Sequence, residues 1–214
     1  MGQILLIRHG QASWGAEDYD VLSPVGEQQA EVLGHALVRA LGDAEPDLLI
    51  HGTMQRQQRT AELAAKAAGW SITPSVDERW NEMDHLAVLA VQPRDFDGEP
   101  DRAQFQAWFE AATERWTSGD HDDDYDESFP RFRARVRDGV EALAEIGTAV
   151  VVTSGGPISA VTADLLAAGT PTYHRLTPVV VNSSVTRVVS GRRGLTLVSF
   201  NDHAHLPAEL LTYR

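Results

Sequence analysis

The sequence predicts an α/β fold: a three-layer α/β/α sandwich with a mostly parallel central sheet and a helical or irregular cap insertion. Two observations carry this. Residues 3–7 and 149–153 are short, unbroken apolar runs of strand length, the pattern of strands buried on both faces. Strand-like runs alternate with segments of helical periodicity in the first half and again after residue 148, as a parallel sheet covered by helices requires. A chain of 214 residues with 43% hydrophobic content suits one domain with a substantial core.

In order, residues 3–7 form the first strand. Ser23-Pro24 opens a helix, with Ser at the N-cap and Pro at the first helical position; Ala30, Leu33, Leu37 and Leu41 follow at helical spacing. Residues 47–51 form a second strand. Thr53 is placed to cap the next helix, which carries Ala61, Leu63, Ala64 and Ala67 and stops near Gly69. Residues 72–76 are extended. The stretch from about 84 to 127 is less regular, with a helix over 101–116. It has too few apolar residues for a core of its own, so it reads as a cap insertion within a single domain spanning 1–214. A helix over 128–146 precedes the strand at 149–153. Gly155-Gly156-Pro157 makes a turn into a helix reaching Ala168. Strands at 185–189 and 195–200 are joined by Ser190-Gly191-Arg192-Arg193-Gly194, a hairpin signature.

Composition excludes several roles. A formal charge of −13 opposes nucleic acid and anionic membranes, and neither is expected as a partner. No apolar run reaches the length of a membrane span, and the first eight residues lack the basic and small-residue features of a signal peptide. There is no cysteine, which excludes disulfides and thiolate metal sites and suits the cytoplasm. The acidic run 120–127 reads as a solvated loop; it lacks the glycine turn and spacing of a calcium loop. The composition says nothing about oligomeric state.

Ligands in such sheets gather at the carboxyl ends of the strands. That rule brings together residues 8–11, 51–56, 77–84 and 153–156. Arg8-His9-Gly10 follows the first strand directly. The Arg offers a bidentate fork for phosphate, the Gly allows close backbone approach, and imidazole can act as a nucleophile near neutral pH. Read alone, the tripeptide equally fits an ordinary strand-end His beside a surface Arg. Arg56, Arg59 and Glu82 taken singly also fit solvent-facing positions.

Five segments in order change that balance. Arg8-His9-Gly10-Gln11, Leu22 to Ala30 with its Gly26 and Gln29-Ala30 pair, Arg56 followed by Thr60-Ala61, Trp80-Asn81-Glu82-Met83-Asp84, and the strand-turn-helix from Val151 to Ala160 together resemble the histidine phosphatase (phosphoglycerate mutase-like) superfamily. The resemblance implies a phosphomonoesterase working through a phosphohistidine. His9 resembles its nucleophile, Glu82 its general acid, and Arg8 and Arg56 its two phosphate clamps. It also implies small phosphorylated substrates or inorganic phosphate as partners, with no cofactor and no metal.

One position departs from the pattern. The family carries a second His where this chain has Ser154, within Thr153-Ser154-Gly155-Gly156. A hydroxyl donates a hydrogen bond but brings no charge. Ser154 and the helix N-terminus at Gly155 are the expected phosphate-binding substitutes, and His51, His203 and His205 are further candidates for the missing imidazole. The alternative reading is a catalytically impaired phospho-ligand-binding protein of the same fold. A serine hydrolase built on Ser154 with Asp202 and His203 is a weaker rival, because the Gly-x-Ser-x-Gly elbow fails at Val152.

Overall fold

The computed structural model describes residues 2–13, 20–42 and 44–213. Among these, six strands form one sheet in the order β3-β2-β4-β1-β5-β6, made of β1 (Gly2–Arg8), β2 (Leu48–His51), β3 (Ser75–Val76), β4 (Thr148–Thr153), β5 (Val185–Gly191) and β6 (Gly194–Asp202). The pairs β1·β4, β2·β4 and β2·β3 are parallel; β1·β5 and β5·β6 are antiparallel. The helices are α1 (Pro24–Leu41), α2 (Gln55–Ala68), α3 (His85–Ala90), α4 (Arg102–Thr117), α5 (Phe129–Glu141), α6 (Gly155–Leu165) and α7 (Thr170–Leu176).

Side chains alternate across a strand, which divides β1 between two layers. Leu5 and Ile7 join Leu49, Val150 and Val152 against Leu33 and Leu37 of α1 and Ala61, Ala64 and Ala65 of α2. Ile4 and Leu6 are fully buried on the opposite face, where α6 packs on β1 and β6. Burying each of these four β1 side chains is worth about 1.5–3 kcal/mol. The start of α6 is buried all round, residues 155–163 included, so its sequence is apolar without amphipathic periodicity.

The chain divides into two compact units, Met1–Glu82 with Val136–Arg214, and Met83–Arg135. The second begins and ends beyond the 84–127 expected from composition. It carries aromatic packing of its own: Trp116 meets Phe129 and Phe132 edge-on with ring centroids 5.0 and 5.4 Å apart, and Trp108 does the same with Phe96 at 5.6 Å. The acidic run is partly paired, Asp124 with Arg115 and Glu127 with Arg135 through two bonds of 2.6 and 2.7 Å.

Several local expectations shift. Gly155-Gly156-Pro157 is no turn but the first turn of α6, where a proline costs little because that N–H has no intrahelical partner. Thr53 does not cap α2. The N-cap is Met54, and the first helical N–H, that of Gln55, is taken by Asp20 Oδ2 at 2.8 Å. The helix expected over 128–146 ends at Glu141. Only residues 75–76 of the extended 72–76 segment pair into the sheet, and the hairpin loop tightens to Arg192-Arg193, with Gly194 at φ +91°.

Candidate active site

β1 and β4 run side by side with Arg8 opposite Thr153, so His9 and Ser154 emerge together at their carboxyl ends. The His9 N–H donates to Thr153 O at 2.8 Å, and Asn182 Nδ2 donates to His9 O at 3.1 Å. Ser183 also holds this backbone through its N–H, which reaches Arg8 O at 3.0 Å; it adopts φ +58°, a strained value for a non-glycine residue.

The His9 ring is buried. Its Nδ1 lies 2.6 Å from Gly10 O, an acceptor only, so Nδ1 carries the proton. Nε2 therefore accepts, and Arg56 Nε donates to it at 3.1 Å. Burial, then the Arg56 and Arg8 guanidinium charges, hold the imidazole well below its usual pKa of 6.5 against the opposing Gly10 bond. The ring is neutral at pH 7, with its lone pair on the nitrogen that faces a cation.

Arg56 sits in the first turn of α2, where it is 7% exposed. Its Nη1 bridges to Asp20 Oδ1 at 2.7 Å. Arg8 turns its Nη1 toward the carbonyls of Val180 and of Tyr213, the latter at 2.9 Å. Arg56 thus meets the His9 ring directly and also holds Asp20, while Arg8 acts on the ring through its charge and holds the two carbonyls.

The surrounding glycines allow close approach. A Cβ on Gly10 would lie 2.4 Å from Gly26 O, and one on Gly26 would lie 2.2 Å from Gln11 O. The loop that carries His9 therefore rests directly on the first turn of α1. Thr60 Oγ1 accepts from the Gly10 N–H at 3.0 Å and donates to Arg56 O at 2.7 Å. Gln29 Oε1 accepts from the Gln11 N–H at 2.8 Å, and its Nε2 donates to Leu210 O at 2.7 Å. Two landmark residues of the sequence are thus fixtures of the loop that follows β1.

Glu82 closes the other side. Its Oε2 accepts from the Gly156 N–H at 2.9 Å, at the N-terminus of α6, and a Cβ on Gly156 would lie 2.0 Å from Oε1. Near it, burial and the Glu82 carboxylate push the pKa of the Tyr173 phenol upward, so it stays protonated. Ser154 is buried at the α6 N-cap but makes no capping bond; its Oγ accepts from Gln57 Nε2 at 2.9 Å. No imidazole bonds this hydroxyl among the described residues, which removes the Ser-His pair a serine nucleophile needs.

The three histidines considered as replacements for the missing imidazole serve backbone carbonyls. His51 Nδ1 meets Gly52 O at 2.6 Å, His203 Nδ1 meets Asn201 O at 2.6 Å, and His205 Nε2 meets Ser183 O at 3.1 Å. Asp20, Gln57 and Asn182 are site residues that sequence reasoning missed. Asp20 stands between the first two landmarks and belongs to neither, and Gln57 is hidden beside Arg56 as one polar residue among several on α2.

A model of the histidine phosphatase superfamily (branch 1) matches residues 4–203. The chain belongs to that superfamily. Its curated relatives include the 2,3-bisphosphoglycerate-dependent phosphoglycerate mutase of Corynebacterium efficiens, 32% identical over 114 residues that cover 50% of this chain and 45% of that protein. Another is the probable phosphoglycerate mutase GpmB of Salmonella paratyphi C, 38% identical over 95 residues covering 42% and 41%. The chain thus matches less than half the length of these relatives. Similar solved structures include a phosphoserine phosphatase variant from Entamoeba histolytica crystallised with phosphoserine, with TM-score 0.68, 21% identity and 97% and 100% of the two chains covered. A mycobacterial glucosyl-3-phosphoglycerate phosphatase aligns with TM-score 0.65, 23% identity and 95% and 100% coverage. These histidine phosphatase folds match the layered sheet described above.

Proposed function

We propose that this chain is a phosphomonoester hydrolase acting on small phosphorylated substrates through a phosphohistidine at His9. The observation that carries the proposal is the state of that ring: neutral, protonated on Nδ1 by its bond to Gly10 O, with the Nε2 lone pair 3.1 Å from Arg56 Nε. Substrate enters as its phosphoryl oxygens take over the Arg56 and Arg8 donors. Nε2 attacks phosphorus in line, and the bond to the alcohol oxygen breaks. Glu82 supplies the proton that this oxygen needs. Water then attacks the phosphohistidine, Glu82 takes its proton, and inorganic phosphate leaves. Positioned cations supply most of the stabilisation in such a reaction, because charge spreads over the equatorial oxygens.

Hydrolysis is favoured over mutase chemistry. Neighbours that cover nearly the whole chain include a phosphoserine phosphatase and a glucosyl-3-phosphoglycerate phosphatase, while the mutases share under half of their length with it. No helix is long and apolar enough to cross a membrane, and the cysteine-free sequence fits a reducing cytoplasm. The second reading, a phospho-ligand binder with little turnover, is favoured by Ser154, a neutral hydroxyl where the family pattern places an imidazole.

A chromogenic aryl phosphate separates the two. Turnover that His9→Ala abolishes, with an acid-labile phosphoenzyme trapped in the wild type, supports the hydrolase. Absence of turnover, with inorganic phosphate raising the melting temperature, supports the binder.

A further inference from the structure

We propose that Gln57 and Ser154 act as one hydrogen-bonded unit that replaces the missing imidazole. In this unit Ser154 Oγ–H is a neutral donor to a phosphoryl oxygen, and Gln57 is the positioning residue that aims it. The inference rests on the oxyanion-binding reading of the same pocket.

Both side chains are buried, Gln57 at 0% and Ser154 at 1% exposure. Gln57 Nε2 donates to Ser154 Oγ at 2.9 Å and to Trp80 O at 3.2 Å. The carbonyl fixes which way the amide points: a carbonyl only accepts, so the amide nitrogen and not its oxygen must face it. Both amide hydrogens are thereby engaged, and one of them fills a lone pair of Oγ. The hydroxyl hydrogen has to point elsewhere. The α6 N-terminus does not claim Oγ, because the Gly156 N–H goes to Glu82 and Pro157 has no N–H. Arg8 pairs with Thr153, so Ser154 and His9 leave neighbouring strands side by side, and the proposed unit aims the hydroxyl hydrogen toward that shared strand end.

The fold makes room for this amide. A Cβ on Gly52 would lie 2.2 Å from Gln57 Oε1, so any residue larger than glycine at the end of β2 would displace it. The unit is uncharged and does not titrate near neutral pH. It supplies the oxyanion with direction but no charge, leaving the positive field to the two arginines. It also explains how a serine can stand at this position without leaving a hole: the amide and an imidazole on residue 154 would compete for one space.

The test measures vanadate affinity by calorimetry, together with aryl phosphate turnover, in wild type and six variants of the pair. Gln57→Ala and Ser154→Ala should each weaken vanadate binding and lower kcat/KM about tenfold or more, and their double variant should be no worse than either alone. Gln57→Glu, close in shape, turns the donor into an acceptor and draws the hydroxyl hydrogen away. Its loss should be larger than that of Gln57→Ala at pH 8 and should shrink toward pH 5, where the protonated acid can donate as the amide did. Ser154→His alone should lower activity, and Gln57→Ala with Ser154→His should recover it. Losses that multiply in the double alanine variant, or a Gln57→Ala within about twofold of wild type, would overturn the pairing. A Gln57→Glu deficit that does not change with pH would do the same, as would a wild type that binds no vanadate. Turnover that survives His9→Ala would instead defeat the hydrolase reading and leave the vanadate comparison to decide the pair.

Discussion

Replacing His9 should remove a specific slope from the stability–pH curve. In the fold, burial and the Arg56 and Arg8 charges depress its pKa well below the 6.5 of a free imidazole. Once the chain unfolds those influences vanish, and the ring takes up a proton near pH 6.5. Between the folded and unfolded values the unfolded state binds one more proton, so stability rises with pH. The His9 contribution is complete above about pH 6.5 and is lost as pH falls toward the folded value. Within that window each pH unit is worth up to about 1.4 kcal/mol, so the wild type should lose stability toward acid faster than a variant that lacks this ring. Urea unfolding of wild type and His9→Gln at pH 7.5 and 5.0 gives the comparison. His205, also depressed mainly by burial, adds a parallel slope that cancels in the difference. Curves for the two proteins that fall in parallel would refute the account of His9 as a buried neutral imidazole. The same depression places the acidic limb of kcat/KM well below pH 6.5, for the phosphatase activity proposed.

Two further outcomes follow from contacts at the pocket wall. Gly156→Ala would put a methyl group 2.0 Å from Glu82 Oε1, so the carboxylate must move; stability should fall by about 1–3 kcal/mol, and kcat should fall more than KM rises, as steady-state kinetics with an aryl phosphate would record. Asp20→Ala frees Arg56 Nη1 from its 2.7 Å bridge and removes the acceptor for the Gln55 N–H; inorganic phosphate should inhibit several-fold more tightly while the melting transition reports a loss of about 1 kcal/mol. Weaker phosphate inhibition would mean that Asp20 chiefly aims Arg56.

The layered fold was legible because burial writes itself into strand and helix periods. Residues 3–7 and 149–153 lie at the centre of the sheet, shielded on both faces, and so read as unbroken apolar runs. Of the site, the residues with distinctive chemistry in fixed order were readable: the strand-end His9, the arginines, and Glu82 beside its tryptophan. Asp20 and Gln57 were not, because their parts depend on tertiary pairing and not on local pattern. Nothing near Asp20 in sequence says that its carboxylate will take the first N–H of a helix 35 residues away. Gln57 stands in a polar stretch, Gln55-Arg56-Gln57-Gln58-Arg59, in which Arg56 and Gln57 are buried and the other three exposed, a division that local pattern does not show. The start of α6 was misread for a related reason: glycines and a proline signal a turn locally, while here the backbone must admit a carboxylate from another segment.

The segment Leu210–Tyr213 grips the region around β1 and α1, about 180 residues earlier in sequence. Its carbonyls meet Gln29 and Arg8, and the Thr212 hydroxyl joins Gln29 to Asn182. During synthesis, the loop after the first strand therefore waits for residues 210–213 to emerge before its scaffold closes. Shortening the protein by these few residues should leave the sheet standing while loosening the loop, so that folding and competence for chemistry become separable properties.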